Sequence, residues 1–287
     1  MLTVAAPAKL NLTLEVLGKR PDGFHEIRSV AQTIALHDSF CFGISQNIEF
    51  HCNRLDWIAS ESLISKAVNL LKETSGCSQG AAIEIDKNIP LTVGLGGDSS
   101  GAAATLRGLN NLWGLGLSLA ELSDLASRLG SDVTFFLYGG TALLEGRGEI
   151  VTPLPPPPRM WVVLLVPPGP RMPSKTGRLY ARLDIRNYTL GRITDSLVAS
   201  LKSGKGLSMS LFNVFEHVAF DSFPGLEDYR QQFLQAGAGE VHLAGSGPAL
   251  FSLLDDRPRA ERIYKRLQQE GLESYLTETV TNIDPLA

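Results

Sequence analysis

Pro90-Leu91-Thr92-Val93-Gly94-Leu95-Gly96-Gly97-Asp98-Ser99-Ser100 is the segment whose residue types speak most directly of chemistry. With Gly101, four glycines fall within eight residues, so the backbone can turn freely and approach a ligand closely. Ser99 and Ser100 stand where a helix begins. Unpaired backbone N–H groups and the positive end of the helix dipole favour an anion there. Ala102, Ala103 and Ala104 follow and allow that helix to pack tightly behind the loop. The plain alternative is a flexible turn with a serine cap. Glycines, serines and alanines together favour a phosphate loop, with Ser99 or Ser100 also able to ligate magnesium. Neither G-x-x-x-x-G-K-[ST] nor G-x-G-x-x-G occurs, and the H-R-D and D-F-G signatures are missing. A nucleotide would be held in another way.

Lys9 is a second candidate, since it lies between apolar Ala8 and Leu10, an odd place for a surface lysine. Leu10 to Val16 alternates apolar and polar residues, the strand signal, so Lys9 and Asn11 share one strand face. Val30–Leu36, Ile44–Phe50 and Ala82–Ile85 read as further strands. The spacing of Leu63, Ala67, Leu70 and Leu71 predicts a helix over 61–74, ended by Gly76. A second helix over 102–113 carries the loop at its start. Ser118 and Glu121 form a capping box before a third. Ala142–Leu144 reads as a strand returning to the sheet. The proline run 153–158 cannot sit in a helix or a central strand and reads as a lobe boundary. Beyond it lie a strand over Trp161–Val166, a variable helical region, a strand over Ala249–Leu254 and a helix over 258–270. Strands and helices mix without regular βαβ alternation, which predicts an α+β fold.

The 287 residues are 44% hydrophobic and 20% charged, an ordinary globular composition that suits one large domain or two intimate lobes. A net charge of -4 gives no case for a nucleic-acid or anionic-membrane surface. Cys41, Cys52 and Cys77 are odd in number and form no C-x-x-C pair, so buried thiols are expected. No apolar run is long enough to cross a bilayer, and the first residues lack the pattern of a signal peptide. A cytoplasmic protein is the expectation.

The loop resembles the second motif of the galactokinase, homoserine kinase, mevalonate kinase and phosphomevalonate kinase (GHMP) superfamily. Pro7-Ala8-Lys9-Leu10-Asn11-Leu12 resembles the first, and Leu243-Ala244-Gly245-Ser246-Gly247-Pro248 the third. The resemblance implies two lobes, an N-terminal one (1–152) like ribosomal protein S5 and a C-terminal one (159–287) that is ferredoxin-like. It implies ATP and Mg2+ as cofactors, Gly245, Ser246 and Gly247 near the nucleotide, Asp132 as the base and Lys9 beside it. Four further segments narrow it: Arg20-Pro21-Asp22-Gly23-Phe24-His25, Gly130 to Phe136, Glu145 to Glu149 and Asn213 to Glu216. They are similar to the branch that phosphorylates the 2-hydroxyl of 4-(cytidine 5'-diphospho)-2-C-methyl-D-erythritol, on the non-mevalonate route to isoprenoid precursors. On that resemblance His25 reads the cytosine edge, and Phe24 and Tyr180 sandwich the ring. Asn11 faces substrate. The partner is a small molecule, with no nucleic acid and no membrane, and the chain is a monomer or homodimer. The rival readings are a homoserine or mevalonate type of kinase and a homologue that has lost catalysis.

The loop departs from the usual P-x-G-x-G-L-G-G-G-S-S-D-A-A. Thr92 and Val93 stand at its early small positions, Asp98 at the third glycine of the triplet and Gly101 at the acidic residue. Asp98 beside a triphosphate repels it unless the carboxylate faces solvent or shares the metal. Phe24 replaces a tyrosine, and Pro173 to Tyr180 match the branch poorly.

Overall fold

The computed structural model describes residues 1–169, 172, 174–205 and 211–281; Pro173 and the last six residues of the expected C-terminal lobe lie outside them. In chain order the elements are β1 (Leu2–Lys19), β2 (His25–Ser45), β3 (Ile48–Cys52), α1 (Leu63–Ser75), β4 (Gly80–Asp86), α2 (Gly97–Leu112), α3 (Leu119–Leu129), α4 (Ser131–Tyr138), β5 (Thr141–Glu145), β6 (Ile150–Leu154), β7 (Trp161–Leu165), α5 (Lys175–Arg182), α6 (Arg192–Lys202), β8 (Phe212–Asn213), α7 (Glu216–Ser222), α8 (Leu226–Gln235), β9 (His242–Leu243), β10 (Leu250–Leu254), α9 (Arg257–Gln269) and β11 (Ser274–Glu278).

Two sheets organise them, as an α+β fold requires. The first runs β3-β4-β2-β1-β8, with β5 joined to β2 and β6 to β5; the second runs β11-β7-β10-β9. The long antiparallel pair β1 and β2 is interrupted between Pro7 and Ala8 and between Asn11 and Thr13. Bulges of this kind re-aim side chains, and these flank Lys9 and Asn11. Helices α1 to α4 cover one face of the first sheet around a core that includes Phe40, Phe42, Ile64, Leu106, Leu109 and Phe135. A separate cluster joins the sheets, setting Leu10, Ile34, Ile89, Val93 and Leu95 against Val162, Leu164 and Phe251.

Some boundaries differ from expectation. The predicted strand 44–50 is two strands with a turn between, because β2 ends at Ser45 and β3 begins at Ile48. Helix α2 starts at Gly97, inside the phosphate loop. Pro153 lies within β6, where it faces Ala142 of β5. β6 pairs with β5 alone, and an edge strand tolerates a proline that a central one does not. The Gly76 stop (φ 68) and the Ser118–Glu121 capping box are both present. The first sheet also takes β8 from the C-terminal half, as a short parallel neighbour of β1 at Thr13 and Leu14.

Candidate active site

Lys9 is buried at 5% exposure in the middle of the first sheet. Its Nζ donates to Asn11 Oδ1 (2.7 Å) and lies 3.3 Å from Asp132 Oδ2. Asn11 Nδ2 donates to Ser29 Oγ (2.8 Å), which donates to the Thr13 carbonyl (2.5 Å). This chain of bonds orients the Asn11 amide, so its oxygen holds the ammonium. Asp132 sits in the first turn of α4, and its side chain remains 38% exposed. A partly solvated carboxylate beside a fixed cation is suited to accept a proton from a bound alcohol.

The glycine loop lies against this pair. The Lys9 N–H donates to Leu95 O (2.9 Å), so β1 and the loop are joined backbone to backbone. Val93 and Leu95 are buried and anchor the loop in the core. Gly94 fits because nothing larger can: a Cβ there would lie 2.0 Å from Ala244 O. The Ala249 N–H donates to Val93 O (3.1 Å). The second and third sequence motifs are therefore packed directly on one another. Asn213 supports the third, its Nδ2 donating to Leu243 O (2.9 Å) and Gly245 O (2.7 Å). Glu216 Oε1 accepts from the Leu243 N–H (2.9 Å).

At the base of the loop Asp38 is fully buried. It accepts from the N–H groups of Asn88 (2.7 Å) and Ile89 (2.8 Å) and from Lys87 Nζ. Thr92 has φ +61°, the left-handed region that a β-branched residue strongly disfavours. Asp98 is exposed, and its Oδ2 accepts from the Leu63 N–H (3.0 Å) at the start of α1. Gly101, where the family pattern has an acid, has no room for one: a Cβ would lie 2.9 Å from the Phe40 ring.

A cavity of about 870 Å³ gathers these groups. Lys9, Asn11, Asp132, the loop from Pro90 to Ser99 without Leu91, Gly245 and Ser246 all line it. Leu91, Ser100 and Gly247 do not. The Ser100 hydroxyl is buried without a hydrogen-bond partner.

The far end of the cavity is aromatic. His25 stacks on Tyr180 (centroids 4.6 Å apart, planes at 14°), and Tyr180 meets Phe215 edge-on at 4.9 Å. Phe24 is half exposed, with the Arg147 guanidinium 4.7 Å above its ring. Burial, aided by Lys19, holds the His25 pKa below its ordinary value. Burial raises that of the Tyr180 hydroxyl, and Asp132 adds to the effect. Tyr180 thus stacks on His25, and Phe24 pairs with Arg147. Arg147 and Lys175 are among the cavity residues that escaped the site reading. Arg147 stands inside a recognised turn, Gly146 to Glu149. Lys175, which opens α5, carries no sequence signal because its segment matches poorly.

Among the described residues no cluster of three or more His, Cys, Asp or Glu is arranged to hold a metal ion, and no helix is long and apolar enough to cross a membrane.

Comparison with known proteins bears on this geometry. The family models "GHMP kinases N terminal domain" and "GHMP kinases C terminal" match residues 62–140 and 197–273. A 4-diphosphocytidyl-2-C-methyl-D-erythritol kinase of Dehalococcoides mccartyi is 50% identical over 99% of the chain and 100% of its own length. One from Geobacillus kaustophilus is 41% identical over 93% of each. The crystal structure of a 4-(cytidine 5'-diphospho)-2C-methyl-D-erythritol kinase superposes with a TM-score of 0.80 at 30% identity, covering 96% of this chain and 98% of that one. A homoserine kinase from Cytophaga hutchinsonii shares the fold at a TM-score of 0.73 and 21% identity, covering 99% and 96%.

Proposed function

The chain belongs to the GHMP kinases and, among them, to the 4-diphosphocytidyl-2-C-methyl-D-erythritol kinases, and from that membership we propose how its residues divide the reaction. The protein is an ATP-dependent small-molecule kinase that phosphorylates a cytidine-diphosphate derivative of methylerythritol, in isoprenoid precursor synthesis. Its reaction belongs in the cytoplasm.

The observation that carries the division of roles is the pairing of Lys9 with Asp132 at one edge of the phosphate loop. An alcohol is a poor nucleophile, and the transferring phosphoryl group carries charge on its outer oxygens. Asp132 accepts the proton of the 2-hydroxyl as that oxygen attacks the γ-phosphorus. The bond from that phosphorus to the bridging oxygen of ADP breaks. Lys9, held by Asn11, keeps the carboxylate in place and offsets charge on the phosphoryl oxygens. The backbone from Gly94 to Gly97, the start of α2 and the turn at Gly245 and Ser246 cradle the triphosphate.

Magnesium bound with the triphosphate would supply charge neutralisation at the phosphoryl oxygens. The oxygen donors on the cavity wall fit a hard cation, and the Ser99 hydroxyl is the one that would join its shell. Ser100 lies off the wall.

His25 reads the cytosine edge from its stack on Tyr180, and Arg147 with Phe24 closes the outer side. Residues 1–152 supply the catalytic pair and the loop. Residues 159–287 supply Tyr180 and the third motif, with the prolines at 153–158 as the joint.

The test is ADP release by purified protein given ATP, magnesium and the cytidine-diphosphate substrate, with homoserine and mevalonate as controls. Release with the first alone is the expected result, and none with it sinks the reading.

A further inference from the structure

The phosphate loop brings no cation of its own. Its one charged residue is Asp98, tied to the start of α1. Lys9 is engaged by Asn11 and Asp132. A second lysine nevertheless faces the same cavity. Lys175 Nζ donates to Thr92 O (2.7 Å) and to Gly247 O, so it spans the second and third motifs at the mouth of the loop. An ammonium has three N–H donors and no acceptor, which leaves one donor beyond the two carbonyls. Among the described residues no carboxylate forms an ion pair with Lys175, although the side chain lines the cavity.

We infer that Lys175 is a phosphate-binding residue of this kinase, supplying to the ATP triphosphate the cation that the glycine loop lacks. The inference rests on the proposed function for the presence of ATP. An unpaired ammonium in a partly closed cavity is costly to keep charged. Burial, and then the nearby Lys9, push the Lys175 pKa down to about 8. A polyanion reverses that cost, because it binds the protonated form and returns the missing countercharge. The lysine also holds the carbonyl of Thr92, the residue with positive φ, in the orientation that the loop needs. The other charged or titratable groups that line the cavity are Lys9 and Lys19 on β1, His25 on β2, Asp98 at the start of α2, Asp132 on α4, Arg147 and Tyr180.

The test uses equilibrium binding, which needs no acceptor substrate and so stands apart from the assay for the reaction. ATP and adenosine are titrated into wild type, Lys175→Met and Lys175→Arg. Lys175→Met is expected to weaken ATP by about tenfold to a hundredfold, the range for a lost charge-assisted hydrogen bond. Adenosine should move by less than about twofold, within the effect of an ordinary surface change. Equal weakening of both ligands, or of neither, overturns the inference. Wild type alone gives a second reading should the variant fold poorly. Its ATP affinity falls as pH rises through about 8, where the ammonium loses its proton, and Lys175→Arg removes that fall because a guanidinium stays charged. A wild-type profile flat from pH 7 to 9, or one unchanged in Lys175→Arg, counts against it.

Discussion

Lys9 Nζ stands 3.3 Å from Asp132 Oδ2, although the two residues are 123 positions apart and lie on different elements, β1 and α4. Lys9 is buried and fixed through Asn11 and Ser29, whereas Asp132 is partly solvated. The cation is part of the scaffold, and the carboxylate is the member free to trade a proton.

Asp132→Asn keeps the shape of the side chain and removes its capacity as a base. Turnover should fall by about 10²–10⁴-fold, the range for loss of a positioned base. ATP affinity measured by titration should stay within about threefold, since the base binds no triphosphate oxygen. Near-normal turnover would remove Asp132 from the base role.

Asp38 and Lys87 form a fully buried ion pair under the loop. Lys87→Met leaves the carboxylate buried with only its two backbone donors. Urea unfolding should show a loss of about 3–5 kcal/mol, the usual result of breaking one partner of such a pair. A loss below about 1 kcal/mol, the size of a surface pair, would deny the pair its structural weight.

Thr92 sits in the left-handed region at a position where the family loop has glycine. An L-residue there costs about 1–2 kcal/mol, and glycine returns part of that through its freer unfolded chain. Thr92→Gly should therefore raise stability by up to about 1 kcal/mol, read as an upward shift in Tm. A lowered Tm would show that the threonine side chain contributes more than its backbone costs.

His25 has a pKa held below 6.5 by burial and by Lys19. The unfolded chain takes up the proton first as pH falls, so the neutral ring's contribution to stability is complete above pH 6.5 and fades as pH drops toward the folded value. The KM for the cytidine-diphosphate substrate should be flat above that pH and rise below it, with kcat following a separate profile. His25→Gln, which offers an amide to the base edge, should remove the acid rise in KM. An unchanged rise would place the titrating group elsewhere.

The sequence carried the α+β class, both helix punctuation marks at Gly76 and Ser118, and the three motifs. Those signals are local: a residue needing positive φ, a serine with a glutamate three positions on, a run of small residues. The ion pair of Lys87 with Asp38 was not legible, because its 49-residue separation is closed only by the register of β2 with β4. Lys175 was not legible either, since its role depends on two carbonyls from distant turns. The loop's departures were visible as departures, but their reasons were not. Asp98 serves the start of α1, and Gly101 yields to Phe40, and both reasons lie in packing between elements.

The backbone contact between Gly94 and Ala244 also sets a timetable. A chain leaving the ribosome delivers the glycine loop early, yet its opposing wall arrives about 150 residues later, and only then can Asn213 donate to the Leu243 and Gly245 carbonyls that shape it. The edge of β1 likewise waits for β8 at Phe212–Asn213. Before Ala244 is made, the chain carries Lys9, Asp132 and the glycine loop, but not the wall on which Gly94 closes.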